Sequence, residues 1–326
     1  MKNKIDIAIW MVTYNHEDYI QQAIESIMMQ QTNFHYKLFI GEDYSSDNTR
    51  KICDALKKKY PKKIELLVLN QNIGPNKNAS QIYNACFDSE AKYIAMCEGD
   101  DYWTDPLKLQ KQVDAMEANE KISLVYTNCK ITFEDGRLPS RIRYSSLMPE
   151  GKCLEKVIDG NFPQTLSILF RTSFLPNGIS KITKLKYAMG DYPLFLYLSL
   201  VGEYKYLPDV TCVYRRNSNS IMESNLLDYK KQLKFIDSSR EVLIDFLKEQ
   251  IINDPNVIKK IKNKINTWLL IPFSMSLQHN DLQLAQEYWT KIKINKEPIP
   301  FKYKLLHFST FLGPLGKLLI KIYYKK

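Results

Sequence analysis

Short apolar, β-branched runs alternate along the first third of the chain with segments in which apolar residues recur every three or four positions. The runs are Ile5–Thr13, Tyr36–Asp43, Ile64–Leu69 and Tyr93–Cys97. Between them lie Tyr19–Gln31, whose apolar positions are Ile20, Ala23, Ile24, Ile27 and Met28, then Asn48–Tyr60 and Asn76–Phe87. A short run predicts a strand and a period near 3.6 predicts a helix. Their alternation predicts an α/β architecture built on a parallel, doubly wound sheet. Ligands of such sheets bind beyond the carboxyl ends of the strands. The polar groups just past those ends are Thr13-Tyr14-Asn15, Glu42-Asp43, Asn72-Ile73-Gly74 and Glu98 to Asp101, so the pattern gathers them at one crevice.

Further on, Leu107–Ala118 predicts an amphipathic helix, and Ile122–Phe133 a strand that turns at Glu134-Asp135-Gly136. The pattern fades over Leu138–Lys152, which with Arg137, Arg141 and Arg143 forms a basic loop of the length that serves as a lid or binding segment. A helix over Cys153–Asp159, a strand over Leu166–Arg171, a helix opening within Met189–Leu196 and a strand over Tyr204–Tyr214 follow. The remainder predicts helices at Leu226–Ile252, Pro255–Gln278 and Asp281–Ile294, with shorter pieces after Pro300. The expected division is an α/β domain over residues 1–222 and a helical appendage over 223–326.

Two places along this chain carry chemistry. Glu98, Asp100 and Asp101 set three carboxylates within four positions at the end of an apolar strand. They repel one another unless a cation sits among them, and all-oxygen ligands suit Mg²⁺ or Mn²⁺, ions that keep open positions for phosphate oxygens. Asp191 heads an otherwise apolar helix, where N–H donors and the helix dipole hold a carboxylate in place and favour its charge. Each residue singled out also has a purely structural reading. Thr13 and Asn15 serve equally as helix caps, Asp43 as a turn residue, Gly74 as a special backbone conformer, and Asp105-Pro106 as a helix start.

Taken in order and spacing, these motifs resemble glycosyltransferase family 2, nucleotide-sugar transferases of GT-A fold, over roughly residues 4 to 222. The resemblance implies a Rossmann-like, mostly parallel central sheet flanked by helices. Thr13-Tyr14-Asn15 with Glu17 matches the family's loop against the nucleobase. Asp43, in Gly41-Glu42-Asp43-Tyr44-Ser45-Ser46-Asp47-Asn48-Thr49, matches the carboxylate that hydrogen-bonds the base. Lys77 and Asn78, after Asn72-Ile73-Gly74, match the loop under the nucleotide. Glu98-Gly99-Asp100-Asp101 resembles the metal-binding motif, with Asp100 and Asp101 as the ligands of Mn²⁺ or Mg²⁺ and Glu98 standing one methylene longer than the usual Asp. Trp103, Gln164 and Thr165 are the implied acceptor contacts. Asp191 matches the base that deprotonates the attacking hydroxyl in an inverting transfer, so an α-linked donor gives a β-linked product. Arg215 and Arg216 match the segment closing the donor site, where a planar guanidinium forms paired hydrogen bonds to phosphate. Asn217 stands where many members carry a His ligand. The Gln-x-x-Arg-Trp signature of processive synthases is missing, which favours single additions. The implied donor is a nucleotide-diphosphate sugar, UDP by family resemblance, and the implied acceptor a glycan or lipid-linked glycan.

Charge adds a second theme. Of 326 residues 46 are Lys or Arg and 36 Asp or Glu, a net charge of +10. Residues 226–326 hold 18 of the basic and 9 of the acidic residues, leaving a near balance of 28 to 27 elsewhere. In the last stretch Lys317, Lys321 and Lys325 recur every four positions among apolar residues, which suits either the surface of an anionic membrane or a helix packed on its own domain with a solvated lysine face. Gly, Pro and Lys interrupt the stretch too often for it to span a bilayer. No nucleic-acid motif accompanies the basic tail, so nucleic acid is not an expected partner. The six cysteines form no Cys-x-x-Cys pair and predict reduced core thiols, and the four histidines form no zinc pattern. The first apolar run is already a strand and no cleavage site follows it, so a cytoplasmic protein is expected, associated with the inner membrane face if the tail binds lipid. Two other readings remain at this stage: an inactive nucleotide-sugar-binding scaffold, against which intact Asp43, Asp100, Asp101 and Asp191 speak, and a sugar nucleotidyltransferase. The second needs a glycine-rich basic loop after the first strand, where this chain has acidic Tyr14-Asn15-His16-Glu17-Asp18.

Overall fold

A computed structural model describes residues 5–176, 178, 184–216, 228–249, 252–295 and 297–324. They divide into two compact units, Met1–Glu223 and Ser224–Lys326. Asn217, the start of the helix expected from Leu226, and Lys325 lie outside the described residues.

The first unit opens with the expected alternation: β1 (Ile7–Thr13), α1 (Ile20–Met28), β2 (Tyr36–Glu42), α2 (Thr49–Lys59), β3 (Ile64–Val68), α3 (Pro75–Asp88) and β4 (Tyr93–Met96). These strands lie side by side in the order β3-β2-β1-β4, all parallel. β1 is buried on both faces, as a strand covered by helices on each side must be. Ile7, Ile9 and Met11 join Ile20, Ala23, Ile24 and Ile27 of α1 in one core. On the other face the Trp10 ring stacks on Tyr83 of α3 and its indole N–H donates to the Ala79 carbonyl at 3.1 Å.

Beyond β4 the sheet changes character. It continues through β5 (Tyr102–Trp103), α4 (Lys108–Glu117), β6 (Ile122–Phe133), β7 (Arg141–Ile142), α5 (Leu154–Asp159), β8 (Ile168–Arg171), α6 (Asp191–Val201) and β9 (Glu203–Arg216). β8 lies antiparallel to both β4 and β6, and β5 antiparallel to β9, while β6 and β9 run parallel, so the sheet is mostly parallel as expected, with β8 and β5 among its antiparallel members. The segment Leu138–Lys152 is also less free than its pattern suggests. Residues 141–142 pair with β6, and Tyr144 is buried, donating its backbone N–H to Asn128 Oδ1 and its hydroxyl to the Phe162 carbonyl. All six cysteines are free and buried.

The second unit consists, in its described residues, of α7 (Tyr229–Lys248), α8 (Pro255–Gln278), α9 (Leu282–Ile294), α10 (Phe301–Ser309) and α11 (Gly313–Tyr324). Asp228, Asp254 and Asp281 cap α7, α8 and α9 through their side chains, which explains where those helices start. Phe273, Leu277, Trp289, Leu306 and Ile320 share its core, with the His307 ring stacked on Trp289 at 4.1 Å. Among the described residues no helix is long and apolar enough to cross a membrane.

Candidate active site

The loops after β1 and β2 are bound to each other by hydrogen bonds. Asn15, at φ +54°, donates its backbone N–H to Ser45 Oγ and accepts at Oδ1 from the Ser46 backbone N–H at 2.9 Å. His16 N–H donates to Thr49 Oγ1 and Glu17 N–H to Asp47 Oδ2. Glu17 Oε2 accepts from both the backbone and the side-chain N–H of Asn48, so this carboxylate organises the start of α2. Thr13 and Asn15 do not cap α1, whose first turn has no side-chain cap. The adjoining wall hangs on Asp43: its backbone N–H reaches the Thr13 carbonyl, its Oδ1 accepts from Ile73 N–H at 2.8 Å, and its own carbonyl accepts from Asn72 Nδ2. Tyr14 and Lys77 are exposed beside these loops, while Asn78 is buried and donates Nδ2 to the Gly41 carbonyl. Glu42, fully buried, pairs with Arg50 Nε at 2.5 Å, and Arg50 also donates to the Leu69 carbonyl, tying together the ends of β2, α2 and β3.

The acidic turn lies directly against this wall. Gly99 N–H donates to the Val12 carbonyl, and a Cβ at Gly99 would stand 2.7 Å from Thr13 Oγ1 and 3.0 Å from His16 Nδ1. Only glycine lets the motif approach β1 so closely. Asp101 is 2% exposed and accepts from Arg215 N–H at 2.8 Å; burial first, then Asp100 and Glu98, hold its carboxyl well above the usual range. Glu98 is pushed up to about 8, mainly by burial and then by the charges of Asp100 and Asp191, against a lowering hydrogen bond with Thr165. Its Oε2 is buried with no hydrogen-bond partner.

Asp191, the first residue of α6, comes to the same place from the other half of the sheet. Its Oδ1 accepts from Tyr192 N–H at 2.8 Å and its Oδ2 from Asn161 Nδ2 at 3.0 Å. Burial raises its pKa, and those two hydrogen bonds act in the opposite direction. The pairing of Asn161 with Asp191 across 30 positions has no periodic signal in the sequence. Asn76, in the first turn of α3, donates to the carbonyls of Tyr187 and Leu185 and fastens the segment leading to Asp191.

Two expectations change with the geometry. Trp103 is 1% exposed, its indole N–H donates to the Leu166 carbonyl, and the Lys108 ammonium stands 4.3 Å from its ring centre. It packs in the core rather than toward an acceptor, because the sheet pairing of Tyr102 with Val213 turns the next side chain inward. Arg215 is a brace rather than a free phosphate ligand. Its guanidinium donates to the Asp100 carbonyl and to Gln22 Oε1, lies 3.4 Å from Glu134, and stacks over Tyr102 at 4.3 Å. Arg216, on the opposite face of β9, lies over Phe133. Gln164 and Thr165 are half-buried beside Glu98, with the Gln164 carbonyl accepting from Ser167.

The donor set fits a divalent ion shared with a ligand. Glu98 keeps a buried carboxylate oxygen with no hydrogen-bond partner, and neighbouring acid charge raises the pKa values of Glu98 and Asp101, a strain that a divalent cation among these oxygens would relieve. Among the described residues no three acids, histidines or cysteines form a group that could hold a metal ion by themselves.

Residues 8–175 match the Glycosyl transferase family 2 pattern. The uncharacterized protein Rv1520 of Mycobacterium tuberculosis is 30% identical over 229 residues, a stretch that is 69% of this chain and 63% of that protein. Among solved structures, S. aureus TarS 1–349 in complex with UDP-GlcNAc superposes with a TM-score of 0.70 at 17% identity, over 98% of this chain and 92% of that one. The mannosyltransferase PcManGT of Pyrobaculum calidifontis, in complex with GDP-Man and Mn²⁺, gives 0.53 at 12% identity, over 90% and 85%. At those identities the likeness speaks for the fold. The family pattern spans more than half of the chain and runs through every loop of the crevice up to Thr165, and so this protein belongs to glycosyl transferase family 2, with a GT-A fold.

Proposed function

We propose that the protein transfers a sugar from a nucleotide-diphosphate donor, UDP-linked, to a hydroxyl of a glycan or lipid-linked glycan acceptor, with inversion at the anomeric carbon. The observation that carries this reading is the meeting of Asp191 with the Glu98–Asp101 turn in one crevice, close enough for the charge of Asp191 to raise the pKa of Glu98. The wall of Thr13, Tyr14, Asn15 and Asp43 takes the nucleoside, with Lys77 and Arg216 toward the ribose and diphosphate, while buried Asn78 supports β2 from beneath through the Gly41 carbonyl. Glu17 and Arg215 keep that wall and the acidic turn in shape. Asp100, with the remaining oxygen of Asp101, would hold Mn²⁺ or Mg²⁺, which would supply positive charge to neutralise the departing diphosphate. Asp191 accepts the proton of the attacking hydroxyl, a task suited to a carboxylate whose basicity is raised by burial and whose aim is set by Asn161. Gln164 and Thr165 border the acceptor. The reading includes work at the cytoplasmic membrane face, where lipid-linked acceptors are presented.

NMR of the sugar released when the enzyme slowly hydrolyses its donor tests the geometry without knowledge of the acceptor. An inverted anomeric configuration is expected. A retained configuration removes Asp191 from this role.

A further inference from the structure

The last two helices of the second unit are apolar on two opposite sides, and one side is already used. On α11 the packed side is Gly316, Ile320 and Tyr324: a Cβ at Gly316 would overlap the Ser309 carbonyl oxygen, 1.7 Å away, and the Tyr324 hydroxyl hydrogen-bonds Ser274 of α8. The helix is therefore fastened at both ends. At 100° per residue, Leu315, Leu318, Leu319 and Ile322 point roughly opposite to that side, and they are 43–59% exposed. On α10 the buried residue is Leu306, and Phe301, Leu305 and Phe308 lie on the far side, Phe301 at 73% and Phe308 at 60% exposure. A helix whose outward face meets only water carries polar residues there. These two carry Leu, Ile and Phe.

We propose that the outward faces of α10 and α11 bind the surface of an anionic lipid bilayer, lying in the interfacial plane. The charge pattern selects this occupant. Lys302 and Lys304 flank the Phe301–Leu305–Phe308 row on either side, and Lys317 and Lys321 run along one edge of the row on α11, so that their stems would lie along the acyl boundary while the ammonium groups reach the headgroups. The 18 basic against 9 acidic residues of 226–326 add long-range attraction to an anionic leaflet. A second copy of the chain on the same face would set lysine against lysine, which disfavours self-association there. This surface deepens the membrane element of the reading above, but its test reads no sugar transfer, so either can fail without the other.

The experiment is flotation of the full chain with vesicles of phosphatidylcholine alone or enriched in phosphatidylglycerol. Binding is expected to the anionic vesicles and to weaken with salt. Lys317→Gln with Lys321→Gln should weaken partitioning by about fivefold per lysine, the equivalent of about 1 kcal/mol each. Leu318→Gln with Ile322→Gln, on the exposed row, should weaken it at least as much with unchanged circular dichroism and melting temperature. Asp191→Asn should float like the parent. Absence of flotation with anionic vesicles, flotation indifferent to both double variants, or a dimer in light scattering that Leu318→Gln with Ile322→Gln dissolves would each overturn the proposal.

Discussion

Replacing Asp191 by Asn separates catalysis from folding at this site. The amide keeps the side-chain volume and an oxygen that accepts from Asn161 Nδ2, the contact now measured at 3.0 Å. What it loses is basicity and one accepted hydrogen bond, since a single amide oxygen cannot serve both Asn161 Nδ2 and Tyr192 N–H. Loss of general-base assistance costs roughly 10² to 10⁴ in rate, or about 2.7–5.4 kcal/mol of barrier. Stability should move the other way or stay level. Burial raises the Asp191 pKa above that of the unfolded chain, so its contribution to stability is full below the unfolded pKa and is lost as pH rises through the folded one. At neutral pH the ionised carboxylate is thus a burden on the fold that Asn removes. A change within about 1 kcal/mol corresponds to roughly 2–4 °C in Tm for a domain of this size. The assay pairs initial rates of nucleoside diphosphate release with a melting curve on the same preparation. Activity within tenfold of the parent, or a rate loss that tracks a collapse of Tm, would refute the reasoning.

Three further substitutions probe the neighbours. Asn161→Ala removes a donor that favours the ionised form of Asp191, so the acidic limb of the pH–rate profile should move to higher pH while rates at the alkaline plateau fall less; a uniform drop at all pH values contradicts a positioning role. Gly99→Ala drives a methyl to within 2.7 Å of Thr13 Oγ1 and should cost about 1–3 kcal/mol of stability together with weaker nucleotide binding, both measurable by thermal shift with and without UDP. Arg215→Lys keeps the charge but breaks the forked contacts to the Asp100 carbonyl, Gln22 and Glu134, and a loss of about 2–4 kcal/mol in denaturant unfolding is expected.

The β3-β2-β1-β4 half was readable because its strands are short, largely apolar runs, β1, β2 and β3 each lead into an amphipathic helix, and the strand ends carry the polar loops. Past β4, pattern alone says less. β5 and β7 are two residues long, too short for any periodicity, and β8 takes its antiparallel direction from the route of the chain rather than from its own residues. The family resemblance implies an acceptor contact at Trp103, yet alternation along β5 buries it. Arg215 and Arg216 look equivalent in sequence, and the pleat sends them to opposite faces, one into a brace across Tyr102 and one over Phe133. The Asn161–Asp191 pair joins segments whose proximity depends on the full sheet order. In the second unit, the lysine period was visible in the sequence, but which apolar side of α11 packs inward depends on the Gly316 contact with Ser309.

The account's central claim is that the Glu98–Asp101 turn holds a divalent ion and the diphosphate while Asp191 faces the sugar carbon from the opposite side. A crystal grown with Mn²⁺ and UDP measures this directly through the anomalous signal of the metal. The account predicts Mn²⁺ bound to Asp100 and to phosphate oxygens, the uracil against Asp43, and the Asp191 carboxylate open to the space where the sugar would lie. Metal and nucleotide both absent from that crevice, or Asp191 turned away from it, would contradict the account.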